Sequence, residues 1–194
     1  MNKRIAVIVG SLRKNSYSQQ LANNLVDLLP EGYDAEYIQI GQLPLYNQDY
    51  DNTPADTPQE YVDFRNQMRN FDAVIFVTPE HNRTVPAALK NALDVGSRPK
   101  KDSVWYGKPA LVASQSPGSI SGFGANHVIR QSLTFLNMPT LQQPEVYIAH
   151  TDKLLDENGK INNEGTVAFL QTVIDAFVEM VKLYTDVPEK EATF

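Results

Sequence analysis

The sequence predicts an α/β protein built on a doubly wound, five-stranded parallel sheet with helices on both faces, and three observations lead there. Two short runs, Ile5-Ala6-Val7-Ile8-Val9 and Ala73-Val74-Ile75-Phe76-Val77, are apolar throughout, as strands buried on both faces of a parallel sheet are. Each is followed by a loop and then by apolar residues at helical spacing: Leu21, Leu25, Leu28 and Leu29 after the first, Leu89, Ala92, Leu93 and Gly96 after the second. A helix therefore returns over the sheet in both cases. The same alternation continues to the end of the chain, which implies right-handed crossovers and, most simply, the strand order 2-1-3-4-5.

The elements follow in order. After the first helix, closed near Pro30-Glu31-Gly32, the alternating stretch Ala35 to Ile40 reads as an edge strand. From Gly41 to Pro58 the chain is rich in Pro, Asn and Asp; this long connection, with Pro44-Leu45-Tyr46-Asn47-Gln48-Asp49 at its centre, lines a site or simply crosses the surface. Tyr61, Phe64, Met68 and Phe71 mark the second helix, and Pro86 suits the first turn of the third. Trp105, the only tryptophan, is expected to pack partly into the core or an interface. Ala110 to Ser114 gives the fourth strand, Ile129, Leu133 and Leu136 the fourth helix, and Glu145 to Ala149 the last strand. Leu170, Val173, Ile174, Phe177, Val181 and Tyr184 line one long closing helix.

Composition narrows the function classes. A chain of 194 residues, 42% of them hydrophobic, makes one domain over 1–185, with a short tail, 186–194, expected to fray. The chain opens on a strand and holds no apolar stretch of membrane-spanning length, so a cytoplasmic location is expected. Without cysteine there is no disulfide, thiolate nucleophile or cysteine metal site, and redox chemistry needs a cofactor. A net charge of −6 argues against nucleic-acid and anionic-membrane partners. The three histidines, His81, His127 and His150, show no metal-ligand spacing, so no metal is expected.

Three strand-end loops remain as candidate site. The first, Gly10-Ser11-Leu12-Arg13-Lys14-Asn15-Ser16, precedes a helix whose first N–H groups lack intrahelical partners and carry the positive end of the macrodipole, where an anion lodges. Ser16 with Gln19 also fits a capping box, and neither the P-loop nor the dinucleotide fingerprint is matched, so this loop alone leaves phosphate binding and plain turn chemistry both open. The second, Thr78-Pro79-Glu80-His81-Asn82-Arg83-Thr84-Val85-Pro86, is stiffened by two prolines at the carboxyl end of a central strand, where ligands bind in open α/β sheets. Its Asn82-Arg83-Thr84 matches a glycosylation acceptor but reads better as site residues plus a helix cap. The third runs from Gln115 to Gly124. Gly118-Ser119-Ile120-Ser121-Gly122 is no nucleophile elbow, having Ile at its centre, and Gly122-Phe123-Gly124 lacks the third glycine of a dinucleotide fingerprint.

The first two loops in this order, with Val85-Pro86 and Leu89-Lys90-Asn91-Ala92-Leu93-Asp94 after them, resemble the NADPH-dependent FMN reductases that include quinone, azo-dye and chromate reductases. The resemblance spans nearly the whole chain. It implies a flavodoxin-like sheet, FMN as cofactor, NADPH or NADH as co-substrate, a quinone-like, azo or similar small acceptor, and a homodimer or homotetramer. Within it, the FMN phosphate is expected on Ser11, Arg13 and Ser16 and on the backbone from Lys14 to Ser18, which takes in Asn15, Ser16, Tyr17 and Ser18. Pro79 would rigidify the wall beside the ring, backbone groups of Glu80, His81 and Asn82 and of Ser116, Pro117 and Gly118 would hold its polar edge, and Thr84 is also expected among the cofactor-binding residues. Glu80 can equally be a structural carboxylate, and Arg83 either faces solvent or meets the reduced flavin or an NADPH phosphate. The family commonly has Tyr at 81, a small or aromatic residue at 83, Gly at 121 and Arg at 124, where this chain has His81, Arg83, Ser121 and Gly124. No residue is expected to be catalytic, because the flavin carries the chemistry. The alternatives are a flavin-binding or regulatory protein without turnover, and a phosphate-handling enzyme, which lacks a Cys or Asp nucleophile in the first loop.

Overall fold

A computed structural model describes residues 2–51 and 56–186. Its sheet holds β1 (Lys3–Val9), β2 (Tyr33–Tyr37), β3 (Ala73–Thr78), β4 (Ala110–Ser116) and β5 (Val146–Ala149), all parallel, in the order β2-β1-β3-β4-β5. The helices are α1 (Tyr17–Val26), α2 (Gln59–Arg69), α3 (Ala87–Gly96), α4 (Phe123–Phe135), α5 (Thr151–Leu154) and α6 (Glu164–Thr185). This is the flavodoxin-like fold expected. The proposed tail lies outside the described residues beyond Asp186, as does part of the 41–58 connection.

Successive side chains of a strand point to opposite faces, so the central runs serve two cores at once. Ile5, Val7, Val9, Ile75 and Val77 pack with α1 and α6, while Ala6, Ile8, Val74 and Phe76 pack with α2, α3 and α4. Each fully buried aliphatic or aromatic side chain contributes about 1.5–3 kcal/mol, which is why uninterrupted apolar runs select this arrangement.

Four departures from the expected elements have physical reasons. β2 starts two residues earlier than Ala35 and ends at Tyr37, since the ladder runs from Lys3↔Tyr33 to Val7↔Tyr37 and closes with Ile38 N–H donating to the Val7 carbonyl at 2.9 Å. Ile38 and Ile40 turn instead into the α2–α3 core, where packing and not pairing accounts for their apolar character. A one-turn helix, α5, follows β5, so the α-helices number six among the described residues. Tyr184 is half exposed, in the last turn of α6. Trp105 is fully buried: its indole N–H donates to the Leu93 carbonyl at 2.9 Å, and the ring lies where a Cβ on Gly96 would come within 2.5 Å. Glycine in α3 is there to admit the indole.

Candidate functional site

Gly10 opens the first loop by donating its N–H to the Val77 carbonyl at 2.9 Å. A Cβ here would meet Thr78 Oγ1 at 3.1 Å and Leu89 Cδ2 at 3.2 Å, so glycine lets the chain turn close against β3 and α3. Ser11 Oγ accepts from the Arg13 N–H at 3.4 Å, and Asn15, at φ +51°, offers its carbonyl to Gln20 Nε2 at 3.0 Å. Ser16 caps α1, its hydroxyl accepting from the Gln19 N–H at 3.1 Å. The reciprocal half of a capping box does not form, because the Gln19 amide donates to Asn23 Oδ1 at 3.0 Å. That leaves the Ser16 N–H over, and the neighbouring backbone N–H groups of Lys14, Asn15, Tyr17 and Ser18 likewise find no acceptor among the described residues. Such a run at a helix start is an anion cradle. Arg13, whose guanidinium lies 5.4 Å from the Tyr17 ring centroid, and Lys14 have no carboxylate partner among the described residues.

The second loop is a tight turn. His81 and Thr84 exchange both backbone hydrogen bonds, at 2.9 and 3.0 Å, around Asn82 and Arg83, which stand at φ +50° and +67°. Two central residues with positive φ define a type I′ turn, for which Arg is an unusual choice. Thr84 is therefore not a helix cap; α3 starts after Pro86, with no side-chain capping bond. Glu80 is one-eighth exposed and doubly engaged, Oε2 accepting from the Ala125 N–H at 3.1 Å and Oε1 from Arg83 Nη1 at 3.0 Å. It ties this loop to the N-terminus of α4, where a negative charge also complements the helix dipole. Gly124 follows from this, since a Cβ there would sit 2.9 Å from Glu80 Oε2 and 3.1 Å from the Arg83 carbonyl.

The third loop is shaped from within and braced from outside. Ser116 Oγ accepts from the Gly118 N–H at 3.0 Å, and the chain reaches α4 through Ser121 and Gly122, both in the left-handed region. His150 Nδ1 lies 3.1 Å from the Pro117 carbonyl. A carbonyl only accepts, so Nδ1 carries the proton and the imidazole acts as a strut.

The three loops enclose a cavity of about 600 Å³, a size suited to a small-molecule cofactor. Of the expected residues, Ser11, Arg13, Ser16, Pro79, His81 and Pro117 line it. Lys14 and Asn15 project to solvent, so their offer to a ligand is their backbone. Ser18 is fully buried with its hydroxyl on Gln115, and Glu80, Asn82, Thr84, Ser116 and Gly118 shape the loops without lining the cavity. Leu12, Pro86, Ala87, Ala88 and Gln115 line it without having been expected, and Tyr17, expected through its backbone alone, lines it as well. The signals for some of them were present: Ala87-Ala88 are small residues opening a helix, and Gln115 is a polar residue ending an apolar strand. No carboxylate is on the lining, although the chain as a whole is acidic. Backbone donors, two hydroxyls and a guanidinium beside a lining without carboxylates suit the dianionic phosphate of FMN, and Pro79 and Pro117 both stand on that lining.

Comparison with known proteins agrees with this geometry. The sequence pattern of the NADPH-dependent FMN reductases matches residues 3–153. A quinone reductase of Pseudomonas putida is 53% identical over 180 residues, covering 92% of this chain and 95% of its own. A 2-hydroxy-1,4-benzoquinone reductase of a Burkholderia species is 42% identical over 182 residues, 94% and 98% of the two chains. The structure of FerB, a flavoenzyme NAD(P)H:(acceptor) oxidoreductase of Paracoccus denitrificans, superposes with a TM-score of 0.86 at 35% identity, covering 94% of this chain and 98% of its own.

Proposed function

The chain belongs to the NADPH-dependent FMN reductase family, and from that premise we propose that it uses FMN to carry electrons from NADPH or NADH to a quinone or a similar small acceptor. The observation that carries the reading is the run of unpartnered N–H groups from Lys14 to Ser18 beside Arg13, at the head of a cavity free of carboxylates. FMN, when bound, would supply the redox chemistry that the side chains lack. The residues bind and orient. Arg13 and the Ser11 and Ser16 hydroxyls meet the phosphate with charge-assisted hydrogen bonds, reinforced by the α1 dipole. Pro79 and Pro117, one fixed by its ring and the other strutted by His150, keep the ring walls apart. Backbone groups from Glu80 to Asn82 and from Ser116 to Gly118 hold the polar edge of the ring. Glu80 ties the Pro79 wall to the start of α4 through the Ala125 N–H.

The working unit in this reading is 1–185, cytoplasmic, and assembled as a dimer or a dimer of dimers. Leu45, 79% exposed, and the Asn82-Arg83 turn present the segments 44–49 and 81–83 to a second copy, and closed symmetric dimers are the commonest soluble assembly. Among the described residues no helix is long and apolar enough to cross a membrane. Light scattering at micromolar concentration checks the assembly; a monomer mass overturns it.

The function is tested by loading the purified protein with FMN and adding NADPH or NADH anaerobically. Bleaching of the flavin absorbance by either is expected, and parallel double-reciprocal plots follow if reductant and acceptor use the same face in turn. Failure of both nucleotides to bleach the loaded protein leaves a flavin-binding protein without turnover.

A further inference from the structure

Gln115 is the one lining side chain of the cavity that is amide-bearing, and it is almost completely buried, at 4% exposure. It sits where β4 ends, facing the α1 side of the sheet, and two hydroxyls hold it. Its Nε2 donates to Ser18 Oγ at 2.8 Å, and its Oε1 accepts from Thr151 Oγ1 at 2.8 Å. Ser18 and Thr151 are themselves buried, at 0% and 1% exposure, and belong to the first turn of α1 and to the start of α5. One amide thus joins three strand-end segments that are far apart in the chain. An amide NH2 has two hydrogens, and the one not given to Ser18 meets no acceptor among the described residues. A buried donor left in this state costs free energy unless a ligand or water completes it.

Position says what that ligand group is. Gln115 stands between the anion cradle, through Ser18, and the ring wall, through Pro117 two residues on. In the FMN reading, a ligand with its phosphate in the cradle and its ring between the proline walls must run its sugar-alcohol chain past Gln115. We propose that Gln115 binds the cofactor by donating its second amide hydrogen to a hydroxyl of that chain, with Ser18 and Thr151 as positioning residues that keep the amide from swinging away. The inference rests on the FMN reading. It also accounts for Ser18, whose hydroxyl reaches the cofactor only through Gln115.

The test compares FMN with a flavin phosphate whose linker has the same length but carries no hydroxyl groups, each titrated by fluorescence quenching into the full-length apoprotein. Wild type should prefer FMN. In Gln115→Leu the preference should shrink by about three- to tenfold, the size of one neutral hydrogen bond, while affinity for the hydroxyl-free analogue barely changes. Thr151→Val, a near-isosteric change that frees one end of the amide, should shrink it by a smaller factor in the same direction. Equal weakening of both ligands by Gln115→Leu would show a merely structural role and overturn the proposal. If Gln115→Leu does not fold by circular dichroism, Thr151→Val decides, and an unchanged preference there overturns it. Failure of wild type to bind FMN at all would instead remove the FMN reading, and this inference with it.

Discussion

The loop after β1 and the connection from Leu43 to Asp51 look alike in sequence, both rich in Asn, Ser, Pro or charged residues, yet their polar groups have opposite fates. In the second, Asn91 from α3 accepts the Tyr46 N–H at 2.8 Å and donates to the Leu43 and Pro44 carbonyls at 3.1 and 2.9 Å. Tyr61 donates its hydroxyl to the Leu45 carbonyl at 2.7 Å. Asp51 accepts from the Tyr46 hydroxyl and from Arg65 Nη2 at 3.4 Å, and Arg65 Nε donates to the Val95 carbonyl at 2.9 Å. Every polar group named is satisfied by the protein itself. In the first loop the N–H groups from Lys14 to Ser18 meet no acceptor among the described residues. A polar loop that closes on itself is architecture, and one that leaves donors over beside a cavity is prepared for a ligand.

The contrast can be broken most severely at Arg65. Its side chain is 8% exposed and that of Asp51 11%, so Arg65→Ala should lower the unfolding free energy by about 3–5 kcal/mol, the cost of stranding one member of a buried pair. Urea unfolding of the apoprotein measures this. FMN affinity of the folded fraction should be unchanged, and a matching loss of FMN binding would show that the two loops are not separate in function.

Arg13→Ala is the converse. It should weaken FMN by about 1.5–3 kcal/mol, the range for hydrogen bonds to charged groups, while leaving apoprotein stability within about 0.5 kcal/mol, as for an ordinary surface change. Unaltered affinity in a fluorescence titration would remove Arg13 from the cradle.

The smallest effect sharpens the contrast through pH. Burial first, and the bond to the Asp51 carboxylate second, push the Tyr46 phenol up to about 12 from 10.0. The unfolded chain therefore loses this proton first. The contribution is fully present below pH about 10 and is lost as pH climbs toward about 12. Tyr46→Phe should show a shallower alkaline decline in stability than wild type. Tyr37 and Tyr147, also raised to about 12, act alike in both proteins and cancel in the difference. Identical slopes would mean the phenol does not titrate differently in the folded state.

Much of this protein was decided locally. The apolar runs Ile5–Val9 and Ala73–Val77 could only be central strands, because burial on both faces removes the need for polar alternation. The loops that follow them, with Pro79, Pro86 and the Gly10–Ser16 pattern, marked the carboxyl edge of the sheet as the candidate site, and their order marked the family. Only the tertiary structure decided how the polar groups there are shared. Whether Gln19 turned back to Ser16 or on to Asn23 set how many donors the first loop left over. Glu80 became a tie to Ala125 and Arg83 because α4 begins beside it, a placement no spacing in the sequence expresses. Gln115 met Ser18 and Thr151 across 97 and 36 residues of chain. A hydrogen bond's worth depends on what else the same group can reach, and that is a property of the packed molecule.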